Sequence, residues 1–150
     1  MTKNKLDDFF KEKKIKTGGD IDWIKKRDEW INDVEILYGK IEKYLKNLRK
    51  DETVTLSRSF KTIFEEYIGE YEIAELALQV GDEKVAFIPK GRNIVGASGR
   101  VDLTGEMGQI TLVVQPKNRW GIVATRTPTL KVIPLDENSL LDALKEIMRP

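Results

Sequence analysis

A chain of 150 residues with a formal net charge of +1 has the length of one domain, and a domain of that size buries roughly 70% of its unfolded surface. Its charged fraction of 34% exceeds the usual ~25%, and its hydrophobic fraction of 40% lies below the usual ~45–50%, so the expected core is adequate and the surface heavily charged. The absence of cysteine and histidine excludes disulfides, thiol nucleophiles, Ser-His and Cys-His catalysis and nearly all zinc sites.

Any enzyme built from this chain would have to work with carboxylates, lysine, serine or tyrosine. The expectation is therefore a protein without catalytic activity, cofactor or bound metal. No run approaches the ~18 apolar residues of a membrane span, so no membrane association is expected. The opening MTKNKLDDFF lacks the apolar core of a signal peptide, which points to a cytoplasmic location.

Residues 1–19 read as a flexible basic arm, and residues 20–150 as a single α+β domain. Within the arm, Leu6-Asp7-Asp8-Phe9-Phe10 resembles the peptide by which replication and repair proteins of archaea and eukaryotes hold the sliding clamp. That pattern is a glutamine, two variable residues, an aliphatic residue, two more variable ones and two aromatics. Leu6, Phe9 and Phe10 match, while Lys3 stands where glutamine is expected. One helical turn would gather the three into a single apolar plug. The resemblance implies a partner-binding arm.

A long helix is predicted from about Ile21 to Lys50. Gly18 and Gly19 break what precedes it, and Asp20 is its expected cap. Trp23, Trp30, Leu37 and Tyr44 recur every seven residues, as do Ile24, Ile31, Tyr38 and Leu45; Val34, Ile41 and Leu48 form a third column. Three such columns make a stripe wider than a coiled-coil seam. The stripe should lie on a sheet, with Trp23, Trp30, Leu37, Ile41 and Tyr44 in the core, although dimerisation through it is the alternative.

From Thr53 the periodicity changes to two. Strands are expected near 53–57, 71–80, 84–88, 95–103, 110–114, 120–124 and 130–132, with turns at Gly81-Asp82, Pro89-Lys90-Gly91, Gly105 to Gly108 and Pro116 to Asn118. In YEIAELALQV, Tyr71 and Ile73 share one face and Ala74, Leu76 and Leu78 the other, so a bulge or a change of buried face is expected. FKTIFEEYIG fits either a strand or a helical turn and is taken as strand. A last helix should span Glu137 to Met148, capped by Asp136. The fold class that follows is α+β: a long amphipathic helix on a curved antiparallel meander, or partial barrel, of about six to eight strands, closed by a short helix.

Charge is distributed in blocks. Residues 1–50 carry 14 basic and 10 acidic side chains, residues 51–82 carry 2 and 8, and residues 83–135 carry 8 and 3. Arg92, Arg100, Lys117, Arg119 and Arg126 surround Trp120 in the basic block. Basic groups beside a stacking aromatic suit a ligand or single-stranded nucleic acid, but alternation sends Arg119 and Trp120 to opposite faces. Glu65, Glu66, Glu70, Glu72 and Glu75 are expected to form a solvated strand edge. GRNIVGAS at 91–98 has the glycine spacing of a phosphate-binding loop, but Ala97 occupies its lysine position. Gly96 and Gly99 should instead permit a bend or a close backbone approach.

Asp22-Trp23 with Trp30, Gly69 to Ile73, and Gly99-Arg100 with Asp102 and Gly105 resemble a group of small bacterial proteins, a resemblance that implies a fold and no chemistry. The resulting expectation is a cytosolic module that binds an unidentified protein partner or a second copy of itself. The alternatives are a nucleic-acid-associated factor using the basic strands or the clamp-like arm, and a carboxylate-based metal-dependent enzyme.

Overall fold

The computed structural model describes residues 22–46, 54–91, 99–125 and 131–150. Helix α1 spans Trp23–Leu45. Seven strands follow: β1 Val54–Glu65, β2 Gly69–Val80, β3 Glu83–Gly91, β4 Gly99–Gly105, β5 Gly108–Gln115, β6 Arg119–Thr125 and β7 Lys131–Pro134. Helix α2, Glu137–Ile147, ends the chain. Each strand pairs antiparallel with the next, in the spatial order β1 to β7. The sheet is an open meander, not a closed barrel, and the α+β expectation holds. No helix among the described residues is long and apolar enough to cross a membrane.

The cap of α1 lies at Asp22, whose carboxylate accepts the amide of Lys25 at 3.0 Å. Asp20, expected to cap, lies outside the described residues, as do the 1–19 arm and Leu48. The apolar stripe faces inward: Trp30, Val34, Leu37, Tyr38, Ile41 and Leu45 are buried. Trp23 and Tyr44, expected in the core, are only half-buried, because they sit at the margins of the stripe where the sheet falls away.

One face of the sheet receives this helix. Cross-strand partners share a face, so Leu76, Phe87 and Leu103 line one row, and Val101, Leu112 and Ile122 another. All six are buried in one cluster with the α1 ridge and with Leu140, Ala143 and Ile147 of α2. The hydroxyl of Tyr38 donates to the Ala74 carbonyl at 2.6 Å, and the Trp120 indole donates to the Asp33 carbonyl at 2.9 Å. Helix α1 is thereby held by β2 on one side and β6 on the other, so the sheet must curve around it.

Gly99 makes that curvature possible. A Cβ there would lie 2.3 Å from the Trp30 ring, so only glycine lets the indole settle on β4. The close approach expected at Gly99 is present; Gly96 lies outside the described residues.

Helix α2 is closed by a reciprocal capping box between Asp136 and Ser139. Its last turn meets the β4–β5 connection, where Met107 donates its amide to the Ile147 carbonyl at 2.8 Å. Arg149 beyond it pairs with Asp82 and Glu106.

The β1–β2 hairpin settles the ambiguous stretch. β1 continues to Glu65, and turn 66–68, with Tyr67 at φ 72, leads into β2. The ladder from Val54↔Val80 to Glu65↔Gly69 contains no bulge. The slip at Ile73–Ala74 is therefore burial on both faces of a regular strand: Tyr71 and Ile73 are covered on one side, Ala74, Leu76 and Leu78 on the other.

Replacement of Gly99 by alanine should cost about 1–3 kcal/mol through overpacking against Trp30. Gly39→Ala, at a helix position with nothing within 4 Å of the new Cβ, should instead stabilise by about 0.5–1 kcal/mol. Urea unfolding of both variants measures the opposite signs.

Candidate functional site

The hairpin is longer than the sheet that carries it. β3 pairs with β2 only from Leu76 to Val80, so residues 59–75 form a two-stranded ribbon past that ladder, folded onto the core through Tyr71, Ile73 and Ala74. On β1, alternate residues Val54, Leu56, Arg58, Phe60, Thr62 and Phe64 share the face that looks toward α1. Val54 and Leu56 are half-covered by the core. Phe60 and Phe64 lie beyond it and are 71% and 73% exposed.

The flank of α1 that meets this strand is fixed by ion pairs. Arg58 reaches Glu35, and donates to Glu42 at 3.1 Å; its guanidinium also lies 5.4 Å from the Tyr38 ring centroid. Ile24 and Ile31 fall on the same flank as Glu35 and Glu42 at helical spacing. At the far end Trp23 stacks on Tyr67, with ring centroids 5.5 Å apart. The helix thus runs antiparallel to β1. Along these facing flanks Ile24, Phe60, Phe64 and Tyr67 are large, exposed apolar side chains, while Ile31 is half-buried against the core; the strip the four mark out is an apolar trough.

Tyr38 and Arg58 couple electrically. Burial drives the Tyr38 phenol well above its ordinary value, Glu35 and Glu75 add to the rise, and Arg58 opposes it. For Arg58 burial works against the charge, but the hydrogen bonds to Glu35 and Glu42 outweigh it and raise the pKa. The Arg58 pairs are half-exposed and contribute about 0–1 kcal/mol each. Their role is to orient the flank.

The opposite face of the sheet carries a second polar feature. Asp102 on β4 is buried and receives two bonds from Arg100, at 2.7 and 3.2 Å. Lys61 on the same face is pulled below the ordinary lysine value by burial and by Lys90, with Glu75 and Asp102 opposing. On β1–β2, the buried Glu65 accepts the Tyr71 hydroxyl at 2.5 Å, which accounts for one carboxylate of the acidic run. Glu66, Glu70 and Glu72 are exposed. Among the described residues no group of histidine, cysteine or carboxylate side chains has the arrangement to hold a metal ion.

The basic set is divided. Arg92 and Arg126, like Leu6, Phe9 and Phe10 of the arm, lie outside the described residues. Lys117, Arg119 and Trp120 come together at the β5–β6 turn, where Lys117 and Asn118 adopt left-handed backbone conformations. Arg119 is exposed and donates to the Pro116 carbonyl at 3.0 Å. Trp120 faces the other way: it is 4% exposed and its ring packs on Trp30 with centroids 6.2 Å apart. It offers no stacking face to a base.

Arg100 stands apart, held by Asp102, beside a cleft of about 660 Å³. That cleft opens because the β5–β6 ladder stops at Leu112↔Ile122 while both strands continue. Asp142 and Glu146 of α2 also line it, so its lining is of mixed charge and carries no gathered set of reactive groups.

The trough was not legible as a site in the sequence. Phe60, Phe64 and Tyr67 at intervals of three and four residues look like the buried side of a helical turn. Only the strand register shows that two of them leave the core. Comparison of the chain with protein families, curated proteins and solved structures finds no match.

The Tyr38 phenol sets an alkaline limit on stability. The folded chain keeps that proton above pH 10.0, where the unfolded chain releases it. Stability from this group is full below pH 10 and falls as the pH climbs further. Tyr38→Phe should flatten the alkaline fall while costing about 1–3 kcal/mol at neutral pH for the unpaired Ala74 carbonyl. Denaturant unfolding as a function of pH measures both effects; the opposite slope from Lys61 is common to both chains and cancels.

Proposed function

We propose that the protein is a binding module without catalytic activity, and that its contact surface is the apolar trough between α1 and β1. The observation that carries this reading is the exposure of Phe60 and Phe64 on one face of β1, on either side of Thr62. Single exposed hydrophobes are ordinary on protein surfaces, but a contiguous set of large ones marks an interaction site.

The surroundings support it. Aromatic residues at the centre and charged residues at the rim describe the usual anatomy of an interface. Here Phe60, Phe64, Tyr67 and Ile24 would form the centre. Arg58, Glu35 and Glu42 would form one rim, and the exposed Glu66 and Glu70 the other. Phe60 and Phe64 are held on a regular ladder, so a partner would meet a largely preorganised surface.

Affinity capture tests the reading. The full chain, immobilised, should retain a protein from an extract of its own source cells. The double variant Phe60→Ser, Phe64→Ser should lose that protein by at least about tenfold, while its melting temperature stays within about 2 °C, because neither ring is buried. Retention of the partner by the double variant would refute the trough as the contact surface.

A further inference from the structure

The geometry points to a second copy of this chain as a partner of that aromatic face, paired antiparallel along the outer edge of β1 across a two-fold axis at Phe60. This rests on the reading that the aromatic face of β1 is a contact surface.

The two edges of the sheet are treated differently. β7 has four residues, carries Lys131 at its start and ends on Pro134. Short length and proline both blunt an edge against pairing, whereas lysine is found on both edges, at Lys131 and at Lys61. β1 has twelve residues, no proline and no bulge against β2, and among the described residues nothing pairs with its outer side. Such an edge is about 40 Å long.

The pattern along β1 is self-complementary. Leu56, Phe60 and Phe64 lie on one face at equal spacing, so the stripe is symmetric about Phe60. An antiparallel two-fold through Phe60 sets that ring against Phe60 of the partner subunit and Phe64 against Leu56 of the partner subunit. The same axis sets Arg58 against Thr62 of the partner subunit and Lys61 against Ser59 of the partner subunit. No like charges are opposed.

Neighbouring registers are worse. An axis at Lys61 would bring two ammonium groups face to face, and one at Ser59 would set Phe60 against Arg58 of the partner subunit. Opposed like charges on a strand pair are destabilising, whereas aromatic pairs are favourable. A closed two-fold contact of this kind is the commonest oligomeric arrangement.

The area is of the right scale. At 71% and 73% exposure, the two rings present roughly 300 Å² per chain, a large part of the about 800 Å² per partner that a stable interface removes. The paired backbone and Tyr67 supply more. Pairing would join the two open sheets into one and bring both troughs onto the same side.

Three measurements on the full chain test this. Sedimentation equilibrium at micromolar concentration should give twice the chain mass of 17.2 kDa. Phe60→Glu, which opposes two carboxylates at the axis, should raise the dissociation constant about a hundredfold, while circular dichroism shows the fold unchanged. The chain has no cysteine, so Phe60→Cys should oxidise to a disulfide-linked dimer, since Cα atoms paired across a strand ladder fall within the about 4.4–6.8 Å that a disulfide needs. Tyr67→Cys, equally exposed but far from the axis, should not.

A chain that is monomeric at every concentration, a dimer indifferent to Phe60→Glu, or cross-linking through position 67 and not 60 would each overturn the proposal. A monomer whose partner capture is still lost in the Phe60→Ser, Phe64→Ser variant would sink self-pairing and leave the contact surface standing. Capture that survives that double variant would sink the contact surface itself.

Discussion

The seating of α1 against the sheet is the constraint from which the remaining structure follows. A seven-stranded antiparallel sheet has one apolar face to cover, and a single helix is too narrow to cover it flat. Curvature resolves the mismatch. With Trp30 resting on Gly99, and Tyr38 and Trp120 bonded across to Ala74 and Asp33, the sheet wraps the helix from β2 round to β6. The two hydrogen bonds come from aromatic side chains whose bodies are buried, so apolar burial and polar registration are supplied by the same residues. The polar bonds fix where along the sheet the apolar ridge sits, which burial alone would leave free to slide.

How much of this the sequence disclosed depends on which physical signal each element carried. The α1 stripe was plain because a helix buried along one flank repeats its apolar residues over six turns. Asp136 and Ser139 announced α2 through local hydrogen bonding alone. The meander was visible in its turns: Gly81-Asp82 and Pro116 to Asn118 stand where the chain reverses. Trp23 and Tyr44 were placed in the core because periodicity reports a direction around the helix, not the extent of the sheet beneath it. Alternation already sends Arg119 and Trp120 to opposite faces, and the pleat places them so, with Trp120 buried and Arg119 exposed. Residues 58–69 failed to declare themselves for a different reason. Phe60 and Phe64 are apolar without being core, so the rule that apolar residues mark the buried face gave no consistent period there.

That failure is informative. Local pattern and global fold agree over nearly all of the described chain, as they must in a sequence that folds uniquely. The departures are Trp23 and Tyr44 at the ends of the α1 stripe, Pro89-Lys90-Gly91, expected as a turn but paired within β3, and Phe60 and Phe64, apolar yet exposed on β1. Agreement between levels is lost where a sequence serves something other than its own core. The β1–β2 ribbon bears the exposed Phe60 and Phe64 and the long outer edge of β1. Two anomalies fall on one strand.

The ribbon persists because one part of it, Tyr71, Ile73 and Ala74, belongs to the core and the rest is tied down. A two-stranded hairpin is marginal in water, and this one is pinned from outside the ladder. Glu65 and Tyr71 are bonded on one face, Trp23 stacks on Tyr67 at the tip, and Arg58 ties the base to Glu35 and Glu42. Two of these three ties run to α1. The ribbon's position is therefore set by the helix that the sheet wraps, through Tyr67 on Trp23 and Arg58 on Glu35 and Glu42. A partner that filled the trough would add apolar contacts to both α1 and β1 at once. By linkage its binding would stabilise the seating of α1 as well as the ribbon, so the contact surface and the central packing constraint are thermodynamically one system.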